Sequence, residues 1–359
     1  MRAAALVQTV GGAVVSRFAV LGCSAINSDE RIAMRAIWHG LKKVELYECV
    51  GLLFSLFALA VFFLYADLAD LKQQKQNWHW HPVRWVWDVY RAFLPKAFGA
   101  GLALLLAVGW WKHRDLRWGM RHTLILTRLV LPFCLLLFIY RVLNFYVPLF
   151  SPLDRDDWLL HADRWLFGVQ PTIWLQQFVH PLLTDCFSFA YMAWFPLIFV
   201  TMVLLHFLSK KAVTEYTASV LFTFYLGYFC YLLIPAVGPY YTLQQTYSIS
   251  LAGGLVTAAQ QNLVLPGDLN IPRDAFPSLH TAVSLVMLYF IAVYRPRWLW
   301  LYVPLVASIL LSTVYLRYHY VIDVIAGIAL GLFTSVYSGR WCRKWRELLG
   351  PQKKHRAKG

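Results

Sequence analysis

Two histidines and one carboxylate carry the residue types and spacing for nucleophilic and acid–base chemistry. His280 follows Phe276-Pro277-Ser278-Leu279, and His319 lies within Arg317-Tyr318-His319-Tyr320-Val321-Ile322-Asp323. His319 and Asp323 are four residues apart, so in a helix that begins near Tyr318 they share one face, and the carboxylate can accept a hydrogen bond from the imidazole. That contact would fix the tautomer and leave the second ring nitrogen as a nucleophile or base. An unperturbed histidine pKa of ~6.5 makes both protonation states accessible near neutral pH. Two apolar stretches separate the histidines. An out-and-back path through them returns the chain to the side on which it started, so His280 and His319 are expected to meet at one surface.

The elements that must position these groups are membrane helices. Of 359 residues, 59% are hydrophobic and 14% charged, and the apolar residues come in long blocks, the pattern of an all-α integral membrane protein. The net charge of +15 could suit nucleic acid. Its basic residues cluster instead in short turns between apolar blocks and in a tail at 353–358, which membrane topology explains better, and no nucleic-acid partner is expected. Six cysteines are scattered without a close pair, so neither a disulfide framework nor a zinc motif is expected.

Eight spans are expected, at about 47–66, 97–111 (with Phe93 and Leu94), 123–147, 186–208, 216–234, 277–293, 298–316 and 320–337. They divide the chain into an N-terminal extension (1–40), two extra transmembrane helices with an interfacial aromatic loop (41–122), a six-helix catalytic core (123–340) and a basic cytoplasmic tail (341–359). Val20-Leu21-Gly22-Cys23 is a weak match to a lipoprotein cleavage site, but Arg17 interrupts the apolar run that an export signal needs. The first 33 residues are therefore read as an unstructured extension. His79 and His81, amid four tryptophans, are read as part of an interfacial aromatic belt rather than as metal ligands. Residues 173–183 are expected to form an amphipathic helix on or in the outer leaflet. Asp154, Asp156 and Asp157 are expected in a solvated loop, since no ligand cluster accompanies them.

Lys42 and Lys43, the loop from Lys112 to Arg121, Lys210 and Lys211, Arg295 and Arg297, and the tail all fall on one side of this layout. By the positive-inside rule that side is the cytoplasm, so both termini are expected there and the two histidines on the extracytoplasmic face, in what we expect to be a bacterial inner membrane. The loop holding Lys72, Lys75, Arg84, Arg91 and Lys96 runs against the rule.

Pro277-Ser278-Leu279-His280 resembles the second signature of the type 2 phosphatidic acid phosphatase superfamily, Pro-Ser-Gly-His, and Ser312 to Asp323 resembles its third, Ser-Arg-x5-His-x3-Asp. Within that superfamily the chain is most similar to the inositol phosphorylceramide synthase branch, whose second motif reads Phe-Pro-Ser-large-His. The resemblance covers the last six spans and implies the superfamily's six-helix fold. It also implies a lipid phosphotransferase with a catalytic His319, His280 and Asp323, no metal or other cofactor, a membrane phospholipid as substrate and a lipid or other alcohol as acceptor. Hydrolysis of a lipid phosphate or diphosphate is the alternative, and a non-enzymatic transporter or scaffold is disfavoured by the His-Asp pair.

The departures bear on the substrate. Thr313 stands at the arginine of the third signature and Leu279 at the glycine of the second. The first signature, Lys-x6-Arg-Pro, has the spacing of Tyr231 to Pro239, with Tyr231 and Gly238 at the basic positions. A phosphomonoester carries nearly two negative charges and a diester one, so the loss of cations favours a diester, plausible for a phosphoinositol head group. Arg141, Arg273 and Arg317 are candidate substitutes. In the implied mechanism neutral His319 attacks phosphorus and His280 protonates the departing oxygen. Ser278, the amides that open the sixth helix, Tyr231 and the arginines are the candidate phosphate-binding groups.

Overall fold

The computed structural model describes residues 44–264 and 271–348, so the expected N-terminal extension and the final residues of the tail lie outside the described residues. All regular structure among the described residues is helical. The chain divides into two units. In the smaller, the described residues 44–45 and 344–348 hold an Arg346–Glu45 ion pair at 3.3 Å and a hydrogen bond from Trp345 Nε1 to the Val44 carbonyl at 3.0 Å. The larger, Leu46–Arg343, contains every residue considered below.

In chain order the α-helices are α1 Leu46–Leu64, α2 Ala66–Gln73, α3 His81–Val108, α4 Leu116–Phe150, α5 Asp156–Phe167, α6 Pro171–Trp174, α7 Pro181–Leu208, α8 Lys210–Leu233, α9 Pro239–Thr242, α10 Leu255–Val264, α11 Leu279–Tyr294, α12 Leu299–Tyr315 and α13 Val321–Leu348. Among the described residues, six stretches are long and apolar enough to cross a membrane: Leu46–Leu64, Leu116–Leu149, Pro181–Leu208, Lys210–Leu233, Pro296–Tyr315 and Val321–Leu348. The other two expected spans correspond to shorter apolar helices, Gly99–Lys112 and Leu279–Tyr294. Large apolar side chains such as Leu53, Phe63, Phe189 and Trp300 point outward and exposed, as a surface bathed in lipid requires. The protein is an integral, multi-pass membrane protein.

Several boundaries differ from the sequence expectation. The aromatic segment before the second span is helical rather than a loop: Pro82 sits in the first turn of α3, which runs without interruption to Val108. Proline is favoured there because its missing N–H has no intrahelical partner to lose. The amphipathic helix lies earlier than 173–183, at α5, and stops at Gly168, whose φ of 73° is the left-handed turn that closes it. Pro181 then opens α7 five residues before the expected span.

Local signals place the site's helices. Ser209 caps α8 by accepting from the Ala212 amide, and Ser278 caps α11 by accepting from the Thr281 amide at 3.3 Å. α11 and α13 approach closely because Gly327 and Gly331, one turn apart, present no side chain. A Cβ would sit 2.5 Å from the Ser278 carbonyl oxygen at the first and 2.3 Å from the Ala282 carbonyl oxygen at the second. Further along α13, hydroxyl pairs bind it to α8, Thr223 with Thr334 at 2.6 Å and Ser219 with Ser338.

Candidate active site

His280 is the second residue of α11, just past the Ser278 cap. Its ring is packed between two aromatic faces of α7, 4.2 Å from Tyr191 and 4.1 Å from Trp194 between centroids. His319 sits in the turn between α12 and α13. Arg317, at φ 69°, takes the left-handed conformation that reverses the chain, and the amides of Tyr318 and His319 both donate to the Thr313 carbonyl at 3.0 Å. The rings of His280 and His319 lie 6.1 Å apart. The sequence expectation that two distant motifs meet is thus realised in the geometry.

The partner of His319 differs from the expectation. α13 begins at Val321, not near Tyr318, and Asp323 Oδ2 accepts from the Tyr320 amide at 2.9 Å, as a capping group does. The Asp323 carboxylate stands 3.5 Å from His319 Nδ1, while the Ala275 carbonyl lies 2.8 Å from that nitrogen. The carbonyl can only accept, so Nδ1 carries the proton and Nε2 keeps the lone pair. Asp323 also ties the motifs together, since its backbone carbonyl accepts from the Ser278 amide at 3.0 Å. Burial of the ring depresses the His319 pKa from its ordinary 6.5 to about 4, against the opposing pull of Asp274 and the Ala275 carbonyl. At neutral pH His319 is therefore uncharged, the form a nucleophile needs.

The remaining predicted residues fare differently. Ser278 is fully buried, and its hydroxyl accepts from the Thr281 amide and hydroxyl. Tyr231 is buried in a row of rings, 5.9 Å from Tyr228, which is itself 5.9 Å from Tyr140. Arg141 is buried with its guanidinium 4.7 Å over the Trp85 ring. Arg273 is engaged by Asp154 at 3.0 Å and by the Ile271 carbonyl at 2.8 Å. Arg317 stacks 3.7 Å over Tyr247 and donates to the Ile249 carbonyl at 2.6 Å. Thr313 is buried and serves the turn through its carbonyl.

Three carboxylates escaped the sequence reading. Asp156, expected in a solvated loop, is buried. It accepts from the Val237 and Gly238 amides at 3.0 and 2.8 Å and from the Tyr320 hydroxyl at 3.0 Å. Asp163 is fully buried and accepts from the Val321 and Ile322 amides at 2.9 and 2.8 Å, capping α13 from a distant helix. Burial raises the pKa of both, with those amide hydrogen bonds pulling the other way. Asp274 accepts from the Tyr140 hydroxyl at 2.6 Å, within electrostatic reach of His319 and Arg141. Its signal was its place two residues before Phe276. Little in the local sequence marks Asp156 or Asp163, because apart from Gln170, which donates to Asp163 at 3.4 Å, these partners lie 81 to 164 residues away. Among the described residues no group of three or more His, Cys, Asp or Glu is placed to hold a metal ion.

The model of the PAP2 superfamily matches residues 157–337, the segment that runs from α5 through both histidines, and the chain belongs to that superfamily. No match was found among curated proteins or among solved structures. Membership suggests phosphatase or phosphotransferase activity on a lipid-like substrate.

Proposed function

We propose that this protein is a membrane lipid phosphotransferase working through a phosphohistidine intermediate, in the manner of the inositol phosphorylceramide synthase branch, with phosphoinositol as the head group that resemblance suggests. One observation carries the reading: His319, its Nδ1 held at 2.8 Å by the Ala275 carbonyl, faces His280 at 6.1 Å between ring centroids. His319 Nε2 attacks phosphorus and the bond to the lipid oxygen breaks, with His280 supplying the proton to that oxygen. An acceptor hydroxyl then attacks the phosphohistidine, His280 takes its proton, and His319 is released. Asp323 supports the nucleophile by capping the turn that carries it. The amides at the start of α11 offer a partial positive charge to the phosphate oxygens. The six helices from α4 onward that match the expected core form the catalytic unit, and α1 and α3 are additions to it. By the distribution of basic turns the site faces the extracytoplasmic leaflet of a bacterial inner membrane, with the termini in the cytoplasm.

The test is purified protein in detergent with a panel of labelled phospholipids and alcohol acceptors, scored separately for new phospholipid and for free phosphate. New phospholipid, absent with His319→Ala, is the expected result. Free phosphate alone would make the protein a hydrolase, and no product from any lipid would refute the enzymatic reading.

A further inference from the structure

The guanidiniums that the sequence offers for phosphate are already engaged. Arg273 is held by Asp154, and Arg317 by the Tyr247 face and the Ile249 carbonyl. Arg141 lies over Trp85 and within electrostatic reach of Asp274. Asp274 is thus a carboxylate that offsets Arg141 and lies within electrostatic reach of His319. It is fixed in place, with Oδ2 2.6 Å from the Tyr140 hydroxyl, and it neighbours Ala275, the residue whose carbonyl orients His319. Its field also reaches Tyr191, stacked on His280, and Tyr231, at the lysine position of the first signature. His319 and the tyrosine row therefore share one partly buried carboxylate, and Tyr191 carries its field up against His280.

From this placement we infer that Asp274 is a specificity-determining residue that restricts the site to phosphate groups bearing a single negative charge. The chemical class selected is the lipid phosphodiester, and the class rejected is the phosphomonoester dianion. The inference rests on the proposed reading of the His280–His319 site as a lipid phosphate site. Repulsion from a fixed carboxylate scales with the charge of the ligand, so a dianion suffers twice the penalty of a monoanion at the same position. A monoester close to its second pKa, about 6, carries between one and two charges, and a diester carries one at any pH above its acidic range.

The test is equilibrium binding, which needs no turnover, of phosphatidic acid and phosphatidylglycerol with identical acyl chains to the full-length protein in detergent at pH 8. The wild type should bind the diester at least ~10-fold more tightly, and lowering the pH to 5 should shrink that preference by improving phosphatidic acid more than phosphatidylglycerol. Asp274→Asn should narrow the ratio about tenfold through tighter phosphatidic acid binding, whereas Asp274→Glu should keep it. Equal wild-type affinity for the two lipids at pH 8 overturns the inference without any variant, and so does an unchanged ratio in a folded Asp274→Asn protein. If the ratio behaves as expected but no lipid is turned over, the charge filter stands and the proposed reaction falls. If diesters are turned over and Asp274→Asn leaves the ratio alone, the reverse holds.

Discussion

The two ends of the helix bundle use charge in opposite ways. At the histidine end, buried carboxylates of α5 reach across the chain to backbone amides: Asp156 to Val237 and Gly238, and Asp163 to the first turn of α13. At the other end, charges pair on the surface. Lys211 meets Glu215 at 4.0 Å and Arg128 meets Glu48 at 3.4 Å, each with an exposed basic partner. A buried amide without a partner costs far more than an exposed ion pair gains. The difference teaches that the carboxylates at the histidine end fix a loop in one conformation, whereas those at the far end mainly decorate it.

The sharpest way to break that contrast is Asp163→Ala. It leaves two amides of α13 unpaired inside the protein and should cost about 3 kcal/mol in thermal unfolding of the detergent-solubilised protein, with turnover falling ~100-fold as the His319 turn loosens. A loss no larger than that of a surface substitution would show that α5 is dispensable. Gly238→Ala comes next. Its φ of 88° suits glycine, and an added Cβ would lie 2.5 Å from the Tyr318 carbonyl oxygen, next to His319, so about 2 kcal/mol and a clear drop in turnover are expected. At the far end, Lys211→Ala or Arg128→Ala should each change stability by less than about 0.5 kcal/mol and leave turnover intact.

Acid sharpens the same comparison. The folded pKa of His319, about 4, lies below the unfolded value near 6.5, so the ring contributes stability that is complete above 6.5 and lost as the pH falls toward 4. At 1.36 kcal/mol per pKa unit the contribution is about 3 kcal/mol. Asp156 and Asp163 have raised pKa values, so their contribution has the opposite sign: it is present in acid and lost as the pH rises through their folded values. Unfolding of the wild type and of His319→Gln should therefore be compared between pH 6.5 and 4. The difference in stability between the two should shrink across that window, and a constant difference would place the ring in solvent. The mildest intervention leaves stability untouched and asks on which side each end lies. In a background stripped of other cysteines, Ser248→Cys should react with a membrane-impermeant maleimide in intact cells, and Lys210→Cys only after permeabilisation. The reverse pattern would turn the site toward the cytoplasm.

Much of this site was legible in the chain. The spacing of His280, His319 and Asp323, with two apolar stretches between the histidines, sufficed to bring the motifs to one surface, because helix length and alternation leave little freedom in a membrane. The hydrogen-bond partner of His319 was not legible. It is a backbone carbonyl, Ala275, delivered by a loop 44 residues earlier, and every residue type has a carbonyl. Asp323 then proved to cap the helix start that sequence placed three residues too early. The buried roles of Asp156 and Asp163 escaped for a related reason, since an aspartate in a polar loop reads as solvated until the fold shows which amides it must satisfy. The close approach of α11 and α13 had a readable sign in Gly327 and Gly331, four apart on one helix face.

The most direct test of a histidine nucleophile is to trap it. The His280→Ala protein, which lacks the group proposed to help release the intermediate, would be incubated with phospholipid labelled at phosphorus, quenched, digested and analysed for covalent label. Base-stable, acid-labile label on the peptide that contains His319, absent from His319→Ala, is the expected result. Label that survives in His319→Ala, or that has the acid stability of a phosphoester, would contradict His319 as the nucleophile.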